Sequence, residues 1–119
     1  MRRALLCLPL LLAGCAGLDV HRADLQLAPG QIAEVNLALQ QGDTVRWDWT
    51  ASETLHFNVH SHSGGGMVEH VTRQAARDQG SFTAPAAGSY SLFWQPASPT
   101  PVVLTYSITG AGKLESTLP

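Results

Sequence analysis

Residues 43–50 read DTVRWDWT, and from Thr44 onward this stretch alternates polar and apolar side chains. Val45, Trp47 and Trp49 share one face of an extended chain, and the charged residues between them share the other. A period of two is typical of a β-strand with one buried face and one wet face. The stretch therefore predicts a half-buried strand that contributes two tryptophans to the core.

The same alternation recurs on both sides of this strand, between short turns rich in glycine and proline. It is clear in residues 32–39, 54–62, 89–95 and 102–109, and weaker in 25–28, 67–73 and 80–84. Regular short strands separated by turn residues favour an antiparallel β-sandwich. The sequence thus predicts an all-β fold of seven to eight strands, in which residues 69–79 form a loop or a short helix.

The N-terminal residues 1–15 read MRRALLCLPLLLAGC, in which a basic pair precedes an apolar run. This run is too short to span a bilayer and is typical of a secretory signal peptide. The ending Leu-Ala-Gly-Cys resembles the lipobox of bacterial lipoproteins. The resemblance implies that residues 1–14 are removed and that Cys15 is acylated, which would anchor the protein to a membrane.

The lipobox resemblance also implies a location. Position 16 is Ala, whereas Asp at this position usually retains a lipoprotein at the inner membrane of Gram-negative bacteria. A lipid-anchored protein at the outer membrane, facing the periplasm, is the expectation for such a host. Residues 15–23 are then a lipidated tether, 24–110 the sandwich domain and 111–119 a flexible tail.

Composition narrows the range of functions. Cys7 leaves with the signal and Cys15 carries lipid, so the domain has no thiol for catalysis, disulfides or metal binding. Without Arg2 and Arg3, five basic residues face nine acidic ones, and no basic run exists that could bind nucleic acid. No nucleophile elbow or carboxylate pair is present, and we expect a protein that is not an enzyme.

Two families of β-sandwiches share short motifs with this chain. The segments GDTVRWDW, LHFNVHSH and GSFTAPAAGSYSLFW resemble cupredoxins, but the C-terminal region lacks the Cys and His ligands of a blue-copper site. The chain also resembles the GOLD-like domain of the p24 secretory proteins. That outline is carried by Gly80, Phe82, Gly88, Tyr90, Trp94, Pro101 and residues 104–106. The GOLD-like resemblance implies a sandwich that serves as a binding module.

Residues 55–70 read LHFNVHSHSGGGMVEH and hold four of the five histidines. Strand alternation puts His56, His60 and His62 on the face opposite the apolar residues. His60 and His62 lie roughly 6.6 Å apart along a strand, close enough to share one ion, and His56 lies too far from them. A glycine loop then reverses the chain.

The register across this loop leaves two arrangements open. A loop of residues 63–66 places Met67 opposite His62 and Glu69 opposite His60, whereas a shift of one residue places His70 opposite His60. The candidate metal ligands are therefore His60, His62, Met67, Glu69 and His70. Such donors suit copper or zinc, and copper is preferred in an oxidising compartment.

These features predict a non-catalytic lipoprotein of the cell envelope. Its histidine-rich hairpin would bind a transition metal, copper in preference to zinc. The alternative is a structural or protein-interaction module, in which the same hairpin contacts a periplasmic protein and no physiological metal is bound.

Overall fold

The structure, a computed structural model, describes residues 18–63 and 65–119. Within these ranges it contains seven strands and no helix. They are β1 (Leu18–Leu27), β2 (Ala33–Leu39), β3 (Thr44–Ser63), β4 (Gly66–Thr83), β5 (Gly88–Pro96), β6 (Val102–Gly110) and β7 (Lys113–Leu118). Every strand pair is antiparallel. The prediction of an all-β sandwich with seven to eight strands is confirmed.

The long hairpin of β3 and β4 organises the sheet. On its other edge β3 changes partner, since residues 45–51 pair with β6 and residues 55–61 pair with β5. The β3–β4 register shifts between these two parts, and such a bulge allows a strand to bend. The strand order is β1-β6-β3-β5-β2-β7, with β4 beside β3. We call β1, β6 and residues 45–51 the first half of the sheet, and residues 55–61, β5, β2 and β7 the second half.

The core lies between the two halves of this curled sheet. Trp94 of β5 stacks on Tyr106 of β6 with ring centroids 4.8 Å apart, although these two strands do not pair with each other. Phe57 lies between the halves, with its ring 5.2 to 5.5 Å from the rings of Trp47, Trp49 and Trp94. All five side chains are buried. The predicted role of the two β3 tryptophans as core aromatics is confirmed.

The structure corrects the prediction for residues 69–79. They form neither a loop nor a helix but the middle of β4, which pairs with β3 from the hairpin loop to Thr83. β4 has β3 on one side and no partner on the other among the described strands, so most of its side chains are exposed. A strand with so little buried surface shows only weak apolar alternation. The sequence therefore indicated its two ends, 67–73 and 80–84, but not that they belong to one strand.

The chain ends also differ from the sequence prediction. The segment expected to be a flexible tail, 111–119, contains β7, which pairs with β2. The segment expected to be a tether, 15–23, contributes residues 18–23 to β1, which pairs with β6. His21 is accordingly not fully solvated, since its Nε2 lies 3.1 Å from the Tyr106 hydroxyl. The sandwich therefore extends beyond the predicted limits of 24 and 110.

The predicted signal peptide and the lipidation site Cys15 lie outside the described residues. Within residues 18–63 and 65–119, no helix has the length and apolar character needed to cross a membrane.

Candidate functional site: the end of the histidine hairpin

The register of the β3–β4 hairpin decides which candidate ligands share a face. Ser63 pairs with Gly66, His62 with Met67 and His60 with Glu69. Gly65 has a φ of 80°, a conformation that glycine adopts readily and other residues rarely. This is the register expected for a loop of residues 63–66, and the alternative that pairs His60 with His70 is wrong.

His60 belongs to a polar row on the outer face of the sheet, between Ser91 and Glu69. The row crosses five strands at one level, and its members are Ser116, Asn36, Ser91, His60 and Glu69. Asn36 donates to the Ser116 hydroxyl at 3.0 Å and accepts a hydrogen bond from Ser91. Ser116, Asn36 and Ser91 are thus joined by hydrogen bonds rather than being independent solvated side chains.

Neighbouring side chains bury His60 although it lies on this outer face. Only 4% of the residue is exposed. Its Nδ1 lies 2.7 Å from Asn58 Oδ1, and its Nε2 lies 3.8 Å from Glu34 Oε2. The His62 ring stands edge-on to it at 5.1 Å, and Phe93 lies 6.0 Å away.

Burial dominates the titration of this imidazole. Desolvation lowers the pKa of His60 below its ordinary value of 6.5, because water no longer stabilises the charged ring. The carboxylate of Glu34 acts in the opposite direction but does not compensate for burial. His60 is therefore held neutral at a pH at which an exposed histidine begins to protonate.

The remaining candidate ligands divide between the two faces of the hairpin. Cross-strand pairing puts Met67 and Glu69 on the same face as His60 and His62. Within residues 18–63 and 65–119, no group of three or more His, Cys, Asp or Glu side chains is arranged to hold a metal ion. Metal binding at these residues stays a prediction.

His70 does not belong to that face. It is the extra residue where the β3–β4 register shifts, since Val59 pairs with Val71 and His60 already pairs with Glu69. Its Nε2 lies 2.8 Å from the Ser61 hydroxyl, and its ring packs against Phe82 at 4.9 Å. Strand alternation therefore places His70 on the opposite face of β4 from Met67 and Glu69.

A cleft of about 270 Å³ lies beside the hairpin, on the side of His70. It is bounded by residues of the hairpin and by the loop that joins β4 to β5. Its lining residues are Ser61, His62, Val68, His70, residues 85–89 and Tyr90. The Tyr90 hydroxyl donates to the Ala86 carbonyl oxygen at 2.6 Å and holds this loop against the sheet.

The Ser61–His70 contact has the geometry of a nucleophile beside a general base. A working pair also needs a third group that orients the imidazole. Among the described residues, no hydrogen-bond acceptor for the second ring nitrogen of His70 is found. The contact links the two strands of the hairpin beside the cleft.

Two large apolar side chains are exposed at the end of the hairpin. Met67 is 54% exposed and lies opposite His62, and Val68 is 47% exposed and lines the cleft. We call His62, Met67 and Val68 the tip surface. Adjacent exposed apolar residues beside a cleft are typical of a contact site for another molecule.

Two features of this site were missed by sequence reasoning. Glu34 and Asn58, the side chains nearest the His60 ring nitrogens, were not among the candidate residues. Asn58 is identifiable in principle, because it lies two residues from His60 on the same strand face. Glu34 cannot be identified from the sequence, because its position beside His60 depends on the pairing of β2 with β5 and of β5 with β3.

Comparison with known proteins supports the fold. No protein-family model matches the sequence, and no curated protein matches it. Among solved structures, Aeromonas hydrophila PliG, a periplasmic inhibitor of g-type lysozyme, is similar over 82% of this chain and 89% of its own, with 17% identity and a TM-score of 0.61.

The Yersinia pseudotuberculosis-derived mitogen is also similar in structure. The match covers 76% of this chain and 85% of the mitogen, with 10% identity and a TM-score of 0.56. At such identities the likeness establishes the all-β fold alone. The GOLD-like and cupredoxin-like resemblances of the sequence stay predictions.

Proposed function

We propose that this chain is a non-catalytic binding protein of the cell envelope, and that its partner is a protein. The observation that carries the proposal is the tip surface. Met67 and Val68 expose about half of their surface at the end of a hairpin that is paired up to Ser63 and Gly66. A rigid apolar tip beside a cleft can bind a partner without first losing much conformational entropy.

The partner that we propose to test first is a lysozyme. The similar structure PliG is an inhibitor of g-type lysozyme, and it works in the compartment that the lipobox resemblance implies for this chain. Lipidation at Cys15 would hold the domain at the outer membrane, facing the periplasm. A protein there would be placed to intercept an enzyme that attacks the cell wall.

The experiment uses the chain from Ala16 onward, which includes every described residue. Binding to g-type, c-type and i-type lysozymes is measured by calorimetry, and lysis of cell-wall fragments is measured in parallel. A variant with Met67→Ser and Val68→Ser tests the tip surface. Val103→Ser is the matched control, because Val103 is 48% exposed but lies on β6 beside Ser52, far along β3 from the tip surface.

The expected loss follows from the exposed apolar surface. Full burial of a valine or methionine side chain contributes about 1.5–3 kcal/mol, and each tip residue has about half of its surface left to bury. Removing both side chains should therefore weaken binding by roughly 10- to 100-fold, while the control binds like the parent. Failure of the parent to bind any of the three lysozymes would reject this partner, and equal losses in both variants would reject the tip surface.

We retain metal binding as a second candidate function, with copper preferred to zinc. The favourable observation is that the His60 and His62 rings stand 5.1 Å apart and that Met67 lies opposite His62. Both nitrogens of His60 already face protein groups, so an ion would have to displace Glu34 or Asn58. This requirement makes the protein-binding role the better supported of the two.

Calorimetric titration with Cu(I), Cu(II) and Zn(II) tests this second function directly. Micromolar affinity that disappears in a His60→Ala/His62→Ala variant and persists in His56→Ala would support it. His56 is a suitable control because it lies on the same face of β3 but is exposed and distant from the tip. Weak and equal binding by all three proteins would exclude it.

A further inference from the structure

The start of β1 shares one level of the first half with the start of β3. Leu18 pairs with Gly110 of β6, and Gly110 pairs on its other side with Val45. Val45 pairs in turn with Phe82 of β4. The four residues therefore lie side by side on neighbouring strands, about 14 Å from first to last at the usual strand spacing.

Aromatic contacts connect this level with the end of the histidine hairpin in the second half. The ring of Phe82 lies 4.9 Å from the ring of His70 and 5.3 Å from that of Tyr90. Tyr90 pairs with Ser61, and Ser61 pairs with Val68 of the tip surface. Because the two sheets of a sandwich pack about 10 Å apart, the tip surface lies at the same end of the molecule as the start of β1, within roughly 20 Å of it.

Little chain separates this end of the sandwich from the lipidation site proposed at Cys15. Two residues lie between Cys15 and Leu18, and three extended residues span at most about 11 Å. The opposite end of β1, at Leu27, is roughly 30 Å further along the strand. An acylated Cys15 therefore holds the end that carries the tip surface against the bilayer, because the opposite end is out of its reach.

The loops at this end carry little charge. They join β2 to β3, β4 to β5 and β6 to β7, and the one charged side chain in their sequences is that of Asp43. Its carboxylate already accepts a hydrogen bond from the Gln40 amide at 2.8 Å. Beside these loops, Lys113 and Glu115 of β7 carry opposite charges. Such an end has no basic excess for anionic lipids and suits a zwitterionic bilayer.

Exposed apolar side chains favour standing on this end over lying on the β1 edge. Val20, near the start of β1, is 52% exposed, and Met67 and Val68 are exposed to a similar extent. Apolar side chains of this kind enter the boundary between lipid headgroups and acyl chains. Arg22 and Asp24 of β1 are exposed and charged, and they would lose water if the domain lay on that edge.

We propose that the anchored protein stands on the bilayer with its tip surface in contact with zwitterionic lipid. This inference rests on the lipidation included in the proposed function and adds a second ligand for the same surface. Because the anchor confines the domain to the bilayer, even a weak contact is well populated. The bilayer and a lysozyme then compete for the tip surface, and the anchored protein binds a lysozyme more weakly than the soluble chain does.

The test uses the full chain, produced in a Gram-negative host and purified from its membranes, and mass spectrometry determines whether Cys15 is acylated. A Val68→Cys variant is labelled with a fluorophore and reconstituted in phosphatidylcholine vesicles that contain a nitroxide-labelled lipid as quencher. Val103→Cys is the matched control, because Val103 is also a half-exposed valine. It pairs with Gln26 and therefore lies near the opposite end of β1.

We expect the lipid quencher to reduce the fluorescence at position 68 several-fold more than at position 103. A lysozyme that binds the soluble chain should bind the anchored protein at least about tenfold more weakly, the lower limit expected for removal of the tip side chains. Equal quenching at both positions, stronger quenching at position 103, or a chain without acyl groups would each overturn the proposal, and equal lysozyme affinity would overturn the competition. If no lysozyme binds the soluble chain, the proposed partner fails, and the quenching still decides the orientation.

Discussion

Substitution of Gly80 by alanine tests how tightly the core packs around Trp47. Gly80 on β4 is the cross-strand partner of Trp47 on β3. A Cβ atom at position 80 would lie 2.7 Å from Cζ2 and 2.9 Å from Cε2 of the indole. The ring has little freedom to retreat, because its Nε1 donates to Asp78 Oδ2 at 2.9 Å and its other side packs on Phe57 at 5.2 Å.

Two opposing effects determine the size of the change. Forcing an extra methyl group into a packed core costs about 1–3 kcal/mol. Replacing glycine within a strand recovers roughly 0.5–1 kcal/mol, because the unfolded chain loses flexibility. The net expectation for Gly80→Ala is a loss of about 1–2 kcal/mol, which lowers the melting temperature of a domain of this size by roughly 4–16 °C.

Urea denaturation followed by tryptophan fluorescence measures the change in the free energy of unfolding. Gly88→Ala is the matched control, since a Cβ there meets only Tyr90 Cε1 at 3.9 Å, an ordinary contact. In a Trp47→Leu background the Gly80→Ala substitution should become neutral or stabilising. If Gly80→Ala stabilises the parent protein as Gly88→Ala does, the close contact is not the reason for glycine at this position.

Two further predictions concern Phe57 and His60. Phe57→Leu keeps an apolar side chain but loses three aromatic contacts. We expect the free energy of unfolding, measured by urea denaturation, to fall by about 2–3 kcal/mol. A loss below about 1 kcal/mol would contradict the central role of Phe57 in the core. Because burial lowers the pKa of His60, the unfolded chain binds protons more readily as the pH falls through 6.5, and the folded state loses stability. His60→Gln should therefore lose less stability than the parent between pH 7.5 and 5.5, and equal losses would contradict this assignment.

Strand alternation predicted the elements that bury one face. One part of β3 was identified by the alternation of Val45, Trp47 and Trp49, and the other by the alternation of Leu55, Phe57 and Val59. An apolar residue at every second position indicates a strand with one buried face. The sequence did not show that both parts belong to one strand. The residues between them, 51–54, are small or polar and mostly exposed, so no apolar pattern in the sequence links the two parts.

The site was predictable only in its local features. The glycine loop and strand alternation were sufficient to place His60, His62, Met67 and Glu69 on one face. The burial of His60 depends on side chains from β2 and β5, which reach it through pairings distant in the chain. No local pattern indicates such contacts, and a residue predicted to lie on the face opposite the core is therefore almost fully buried.

Strand alternation at the end of the hairpin determines what the histidine-rich segment can do. Because Glu69 lies opposite His60, the next residue, His70, faces the other side of β4. His70 therefore contacts Ser61 and the cleft, while His60 remains with Asn58 and Glu34 on the outer face. The histidines therefore occupy two separate environments, and this division favours a surface with two sides, suited to a protein partner, over a single metal centre.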